Sequence, residues 1–178
     1  FWNFVFFAPS QQPEYYGNLR TGIFEDHILV LELLKSNLPD NWAIVYKEHP
    51  FQFAEKYSSI SKDKIFYKKI KKMKNVHILS QSINTYDVIS KSSAIACTGS
   101  TVGVDAMMMG KPCIVFGNCW FNSCKSSINV KTNRDLEEAF KKIRDGYKPS
   151  EIDLMSFMDH IYNLSSHVVP LFIFKHFK

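Results

Sequence analysis

Short apolar runs alternate with amphipathic or polar stretches along the chain. Runs of this length with polar flanks predict buried β-strands, and their near-continuous apolar character is typical of a parallel sheet covered on both sides. The predicted strands are Asn3–Ala8, Trp42–Tyr46, 75–79, Ala94–Cys97, the run after Gly110-Lys111-Pro112 that ends at Phe116, and the short Ser127–Val130.

The stretches between these runs have helical periodicity. Ile28, Leu31 and Leu34 recur at the spacing of one helix face and predict a helix over 24–38, with Glu25 and Asp26 in its first turn. The other predicted helices are 65–73, 85–90 with Asn84 as N-cap, a short helix after Thr101, 134–144 with Asn133 as N-cap and Gly146 as its end, and Glu151–Leu164 with Ser150 as N-cap. Residues 51–61 are expected to be irregular or to form a short helix.

Strands and helices alternate throughout, which predicts an α/β fold with a mainly parallel sheet and helices on both faces. We expect one domain over residues 1–165 and an apolar, basic tail over 166–178. The tail is too short to span a bilayer. We expect it to be the last core segment, and less so to touch a membrane surface or another domain.

The composition is that of a globular domain: 178 residues, 46% hydrophobic and 22% charged. Much of the net charge of +5 lies between Lys62 and Lys74. We interpret this lysine-rich stretch first as the solvated face of one helix. The second interpretation is a surface for an anionic polymer or membrane headgroups. No nucleic-acid-binding motif is present, so DNA and RNA are not expected partners.

The four cysteines indicate the cellular compartment and whether a metal site is expected. Cys97 and Cys113 lie in predicted strands and are expected in the core, while Cys119 and Cys124 have no partner pair that would complete a zinc site. No metal is expected, and the pattern favours a reducing cytoplasm, with peripheral contact at the inner face of the cell membrane as an option. Because Phe1 stands inside an apolar run without an initiator Met, we expect further residues upstream.

A small-residue turn, Thr98-Gly99-Ser100-Thr101, joins a predicted strand to a predicted helix. Backbone N–H groups at such a helix start attract anions, and the hydroxyls of Ser100 and Thr101 are further donors. Asp105, one turn later, is placed to accept from a ribose hydroxyl. The alternative is a turn that only reverses the chain, with Asp105 a satisfied polar residue.

Two further polar clusters follow predicted strands: Gln12-Pro13-Glu14, and Lys47-Glu48-His49-Pro50. Because the carboxyl ends of parallel strands meet at one edge of the sheet, both clusters should line one crevice with the Gly99–Thr101 turn. There His49 and Lys47 would bind phosphate, and Glu14 would contact a sugar hydroxyl or take part in proton transfer. The alternatives are that His49 caps a strand end and that Glu14 is solvated.

The same elements resemble the bacterial capsular-polysaccharide biosynthesis family, which includes transferases that use a CMP-activated acidic sugar (Kdo). The resemblance covers Phe4 to Gly117 and rests on Gln12-Pro13-Glu14, Gly22-Ile23-Phe24-Glu25-Asp26, Tyr46-Lys47-Glu48-His49-Pro50, and Thr98-Gly99-Ser100-Thr101 through Gly110-Lys111-Pro112. It implies a Rossmann-like domain that forms the C-terminal, donor-binding half of a GT-B glycosyltransferase.

The residues at the strand ends and the resemblance together predict roles for single residues. His49 and Glu14 are the expected catalytic residues, Gln12 and Glu14 the expected sugar contacts, and the expected nucleotide and phosphate contacts are Lys47, His49, Gly99, Ser100, Thr101 and Asp105. The donor would be a CMP- or UDP-linked sugar, used without a metal or other cofactor. The expected partners are a glycan or glycolipid acceptor and an N-terminal domain.

The function expected from these features is sugar transfer in the synthesis of a bacterial surface polysaccharide. Three alternatives stay open: a CDP-alcohol glycerophosphotransferase of the teichoic-acid type, a nucleotide-sugar epimerase, and a nucleotide-binding domain without activity. Without a second half we expect this chain to bind a donor better than it catalyses a reaction.

Overall fold

The computed structural model describes residues 3–12, 21–53 and 62–164. Its strands are β1 Asn3–Ala8, β2 Trp42–Tyr46, β3 Val76–Ile78, β4 Ala94–Cys97, β5 Cys113–Phe116 and β6 Ser127–Val130. Its helices are α1 His27–Asn37, α2 Lys64–Lys72, α3 Thr85–Lys91, α4 Val102–Met108, α5 Asn133–Arg144 and α6 Glu151–Leu164. Short 3-10 turns occupy Gly22–Glu25 and Pro50–Phe53. The predicted tail over 166–178 lies outside the described residues.

The six strands form one sheet in the order β3-β2-β1-β4-β5-β6, and all five pairings are parallel. This is the strand order of a doubly wound Rossmann sheet. The predicted α/β fold is therefore confirmed. None of the helices described is long and apolar enough to cross a lipid bilayer.

Alternate residues of each strand face opposite sides of the sheet, and helices cover both sides. Val5 and Phe7 belong to a core that includes residues of α1, α2 and α5, whereas Phe6 and Ala8 pack with residues of α3 and α4 on the other side. Helix α6 covers the second side beside β5, through Leu154 and Phe157. The periodic apolar positions thus lie in the cores on the two faces of the sheet.

Helix starts differ in detail from the expected ones. Helix α1 begins at His27 rather than at residue 24, and the Asp26 side chain caps it by accepting from the N–H groups of Ile28 and Leu29. Thr132, not Asn133, is the N-cap of α5, where it forms a reciprocal capping box with Asp135. An acid or a hydroxyl one position outside the helix satisfies N–H groups that a residue inside the helix does not reach.

Helix α4 packs closely on the sheet at Gly103, which has no side chain. A Cβ atom at this position would come within 2.8 Å of Phe121 Cζ and within 2.9 Å of the sulfurs of Cys97 and Cys113. Both sulfurs belong to fully buried cysteines of β4 and β5, as expected. The close approach fixes the turn that leads from β4 into α4.

Candidate functional site

Three loops leave the carboxyl ends of neighbouring strands at one edge of the sheet. Phe7 of β1 is level with Tyr46 of β2, and Ala8 is level with Cys97 of β4, so the loops start side by side. The chain winds outward from β1 to β3 and then from β4 to β6, so the winding direction reverses between β1 and β4. Open α/β sheets bind their ligands in the crevice at this switch point.

Side chains tie the loop after β1 to both of its neighbours. The Ser10 N–H donates to Thr98 Oγ1 at 3.2 Å, which links it to the loop after β4. The Gln12 N–H donates to Gln52 Oε1 at 3.0 Å, and Gln52 Nε2 donates to the Gln12 carbonyl at 2.6 Å. Since Thr98 and Gln52 are almost fully buried, these bonds hold the three loops as one unit.

The Gln12 side chain already has a partner within the protein, because its Nε2 donates to the Glu25 carbonyl. That bond attaches the loop after β1 to the 3-10 turn in front of α1. The role of Gln12 as a sugar contact stays a prediction. Pro13 and Glu14 lie outside the described residues, and so does the predicted catalytic and sugar-binding role of Glu14.

The loop after β2 presents the His49 imidazole at the sheet edge. His49 Nδ1 accepts a hydrogen bond from the Phe51 N–H at 3.3 Å, and the two rings stack at 5.6 Å with an interplanar angle of 18°. Because Nδ1 accepts, the proton of a neutral His49 ring resides on Nε2. The side chain is therefore oriented by its own turn as a hydrogen-bond donor.

Lys47 reaches across to the start of another helix. It is 7% exposed, and its Nζ donates to Thr85 Oγ1 of α3 at 2.8 Å. Burial lowers the pKa of the ammonium group, since removal from water disfavours the charged form. The structure thus joins Lys47 to α3, and its contact with phosphate stays a prediction.

Beneath His49 lies a buried ion pair that the sequence did not reveal. Lys62 Nζ is 3.0 Å from each carboxylate oxygen of Glu48, and the side chains are 8% and 2% exposed. The hydroxyls of Tyr46 and Tyr67 donate to Glu48 Oε2 at 2.6 and 3.2 Å. The interpretation of Lys62 as part of a solvated helix face is wrong, because this residue precedes α2 and points inward.

Glu48 also reaches the backbone of the neighbouring turn. Its Oε1 accepts from the His49 N–H at 3.3 Å, and its carbonyl accepts from Gln81 Nε2 at 2.9 Å. A signal was available in the sequence: a carboxylate placed directly after a buried strand needs a cationic partner. The chain has many lysines within reach, so the sequence alone could not tell which one is that partner.

His27 completes this buried cluster. Its Nδ1 lies 2.6 Å from Lys62 Nζ, and the side chain is 1% exposed. Burial, and secondarily the Lys62 charge, hold the pKa of the imidazole well below its usual value. Within the described part of the chain, its Nε2 is buried without a hydrogen-bond partner. His27 is thus a neutral acceptor for Lys62.

The turn after β4 has the shape expected of a tight strand-to-helix connection. Gly99 has a φ of +89°, which favours glycine. The N–H groups of Gly103 and Val104 donate to the carbonyls of Ser100 and Thr101, so the turn itself uses backbone donors that we expected to face an anion. The hydroxyls of the half-buried Ser100 and the exposed Thr101 are candidate donors, and Ser100 Oγ also accepts from the Val102 N–H at 3.4 Å.

Asp105 lies in the first turn of α4, close to α3. Burial raises the pKa of the Tyr86 hydroxyl, and the negative charge of Asp105 raises it further. The Asp105 carboxylate is therefore near an exposed aromatic ring. Contact between Asp105 and a ribose stays a prediction.

His49 and the Gly99–Thr101 turn lie on opposite sides of β1. Two strand spacings separate β2 from β4, which is about 10 Å. Surface cavities of about 320 and 380 Å³ lie elsewhere, beside α6 and beside α5, and contain none of the predicted site residues. Within residues 3–12, 21–53 and 62–164, no group of three or more His, Cys, Asp or Glu side chains could hold a metal ion.

The strand order and its switch point define a Rossmann-like α/β domain of the type found in GT-B proteins. The family model "Capsule polysaccharide biosynthesis protein" matches residues 17–145, which is more than half of the chain. The chain belongs to this family. A search of curated proteins found no match.

Solved structures with the same fold include a UDP-GlcNAc 2-epimerase and two Kdo transferases. UDP-GlcNAc 2-epimerase from Methanocaldococcus jannaschii matches with a TM-score of 0.57 at 14% identity, over 90% of this chain and 46% of that chain. The KpsC β-Kdo 2,4 transferase of Thermosulfurimonas dismutans matches with a TM-score of 0.55 at 16% identity, over 89% of this chain and 52% of that chain. The KpsC β-Kdo 2,7 transferase of the same organism matches with a TM-score of 0.53 at 14% identity, over 89% of this chain and 54% of that chain.

These matches establish a shared fold rather than a shared substrate. The chain spans about half the length of the solved structures that it matches.

Proposed function

We propose that this domain binds the nucleotide-sugar donor of a glycosyltransferase that builds a bacterial capsular polysaccharide. The observation that carries the proposal is the placement of His49 and the Ser100-Thr101 turn on the two sides of β1, at the switch point of the sheet. Membership of the capsule polysaccharide biosynthesis family supports it.

In this mechanism the donor phosphate lies between the two loops. The acceptor hydroxyl attacks the anomeric carbon, the bond from that carbon to the phosphate oxygen breaks, and the electron pair leaves with the nucleotide. His49 Nε2–H and the hydroxyls of Ser100 and Thr101 donate to the phosphate as its negative charge grows. Glu14 accepts the proton that the acceptor hydroxyl loses.

The remaining predicted residues bind the donor without taking part in bond breaking. Gly99 lets the backbone approach the phosphate, Lys47 adds a positive charge, and Asp105 accepts from the ribose hydroxyls. Gln12 contacts the sugar. We propose a CMP-linked acidic sugar as the donor, with a UDP-linked sugar as the second choice, and a glycan or glycolipid as the acceptor.

Product analysis tests this proposal against the alternatives. The full-length protein is incubated with a CMP-linked Kdo donor, with UDP-N-acetylglucosamine, and with CDP-glycerol, each with and without a glycan acceptor. Sugar transfer predicts free CMP or UDP and a lengthened acceptor, together with slow release of the nucleotide when water is the acceptor. Glycerophosphate on the acceptor, or a UDP-sugar epimerised without release of UDP, would contradict the proposal.

A pair of variants relates the products to the site. His49→Ala should lower kcat by about 100-fold or more, because a donor to the leaving phosphate is lost in the transition state. His77→Ala, at an exposed histidine of β3, is the control and should keep the parent rate. Equal rates for the parent and His49→Ala would place the reaction elsewhere.

A further inference from the structure

One side of helix α2 is strongly and uniformly basic. Its exposed cations, with one lysine directly after the helix, are Lys64, Lys68, Lys69, Lys71, Lys72 and Lys74. The helix itself contains no acidic residue. Within the described part of the chain, none of these six lysines forms an ion pair; the pairs found are Lys62–Glu48 and Arg134–Glu138.

This face accounts for the net charge of the whole chain. The chain carries 22 basic and 17 acidic side chains, so without the six lysines it would have 16 basic and 17 acidic ones. Helix α5 offers a contrast, because its basic residues share the helix with Asp135, Glu137 and Glu138. The positive charge on α2 is therefore concentrated and faces solvent.

An exposed apolar side chain stands among these lysines. Ile65 is 61% exposed, and Lys68, Lys69 and Lys72 follow it at i+3, i+4 and i+7 on the same helix face. Lysines meet lipid phosphates while an apolar side chain enters the headgroup layer, whereas a polyanion in water has no site for that side chain. We propose that this face of α2 binds the surface of an anionic lipid bilayer.

The helix is also fastened to the turn that carries His49. The Tyr67 hydroxyl of α2 donates to Glu48 Oε2 at 3.2 Å, and Glu48 Oε1 accepts from the His49 N–H at 3.3 Å. A protein bound through α2 therefore keeps the carboxyl edge of the sheet at a set distance from the bilayer. The membrane contact does not depend on the proposed sugar transfer, and its test needs no nucleotide.

Vesicle flotation with the full-length protein tests the proposal. Phosphatidylcholine vesicles with and without phosphatidylglycerol are compared, with duplex DNA as a soluble polyanion. Two triple variants each remove three positive charges from exposed side chains. They are Lys68→Gln/Lys69→Gln/Lys72→Gln on α2, and Lys141→Gln/Lys142→Gln/Arg144→Gln on α5. Ile65→Ser is the third variant, and thermal melting verifies that each one is folded.

The expected result is binding only to the anionic vesicles, weakened at least tenfold by the α2 triple variant and unchanged by the α5 triple variant. Ile65→Ser should also weaken vesicle binding, and it should leave any binding to duplex DNA unchanged. Equal binding to both kinds of vesicle, equal losses for the two triple variants, or full vesicle binding by Ile65→Ser would overturn the proposal.

Discussion

At the scale of single residues, the buried pair of Glu48 and Lys62 has a direct consequence for stability. Two opposite charges with this little exposure stabilise the fold only while both are present, because a single charge left in a dry interior has no compensation. Two tyrosine hydroxyls donate to Glu48 Oε2, and the His49 N–H donates to Oε1. The pair acts as an internal support for the turn that carries His49.

We expect Glu48→Ala to lower the free energy of unfolding by about 3–5 kcal/mol, because Lys62 would remain buried without its partner. Urea denaturation measures the change. Glu138→Ala breaks the exposed pair with Arg134 and serves as the control, for which little or no change is expected. Losses of similar size in both variants would contradict the role given to the buried pair.

His27 makes stability depend on pH. Its folded-state pKa lies well below that of the unfolded chain, so below about pH 6.5 the unfolded state binds more protons. Stability should therefore fall as the pH falls from about 6.5, by up to about 1.4 kcal/mol per pH unit from this group.

Urea denaturation of the parent and of His27→Gln between pH 7.5 and 5 measures this contribution. His27→Gln should flatten the slope, and the exposed His77→Gln should leave it in place. A parent and a His27→Gln variant with the same slope would show that His27 does not titrate with folding.

At the scale of secondary-structure elements, the packing of α4 on the sheet positions the Gly99–Thr101 turn. We expect Gly103→Ala to destabilise the protein by about 1–3 kcal/mol, since the added methyl group would overlap Phe121 and two buried sulfurs. Thermal or urea denaturation measures the loss. In a Phe121→Leu background the same substitution should cost less, because Phe121 Cζ is the nearest atom. Additive losses would mean that α4 adapts in some other way.

The elements show what the sequence could and could not predict. Apolar runs predicted all six strands, and the reason is clearest for the fully buried β4 and β5, because a strand buried on both faces has few alternatives. Helix starts were less certain: Asp26 and Thr132 lie one position outside their helices, and several neighbouring polar residues offered equally good caps. The convergence of the three loops was predicted, since parallel strand ends meet at one edge of the sheet, but the Glu48–Lys62 pair depends on a long-range contact that periodicity does not encode.

At the scale of the whole molecule, strand order does most to define the site. The winding direction reverses between β1 and β4, and the Ser10–Thr98 and Gln12–Gln52 bonds hold together the loops at this switch point. The basic face of α2 is linked to the same edge through Tyr67 and Glu48. The two proposals therefore place the donor and the membrane contact on one domain, at a fixed distance from each other.

Titration calorimetry with CMP, CDP, UMP and UDP tests the central claim, a nucleotide-phosphate site between the loops after β2 and β4. We expect at least one of these nucleotides to bind, and His49→Ala and Ser100→Ala each to weaken it about tenfold or more through loss of a hydrogen bond to a charged group. His77→Ala and Ser123→Ala, at exposed positions outside the three loops, should bind like the parent. No binding at millimolar concentration, or parent affinity in both site variants, would contradict the account.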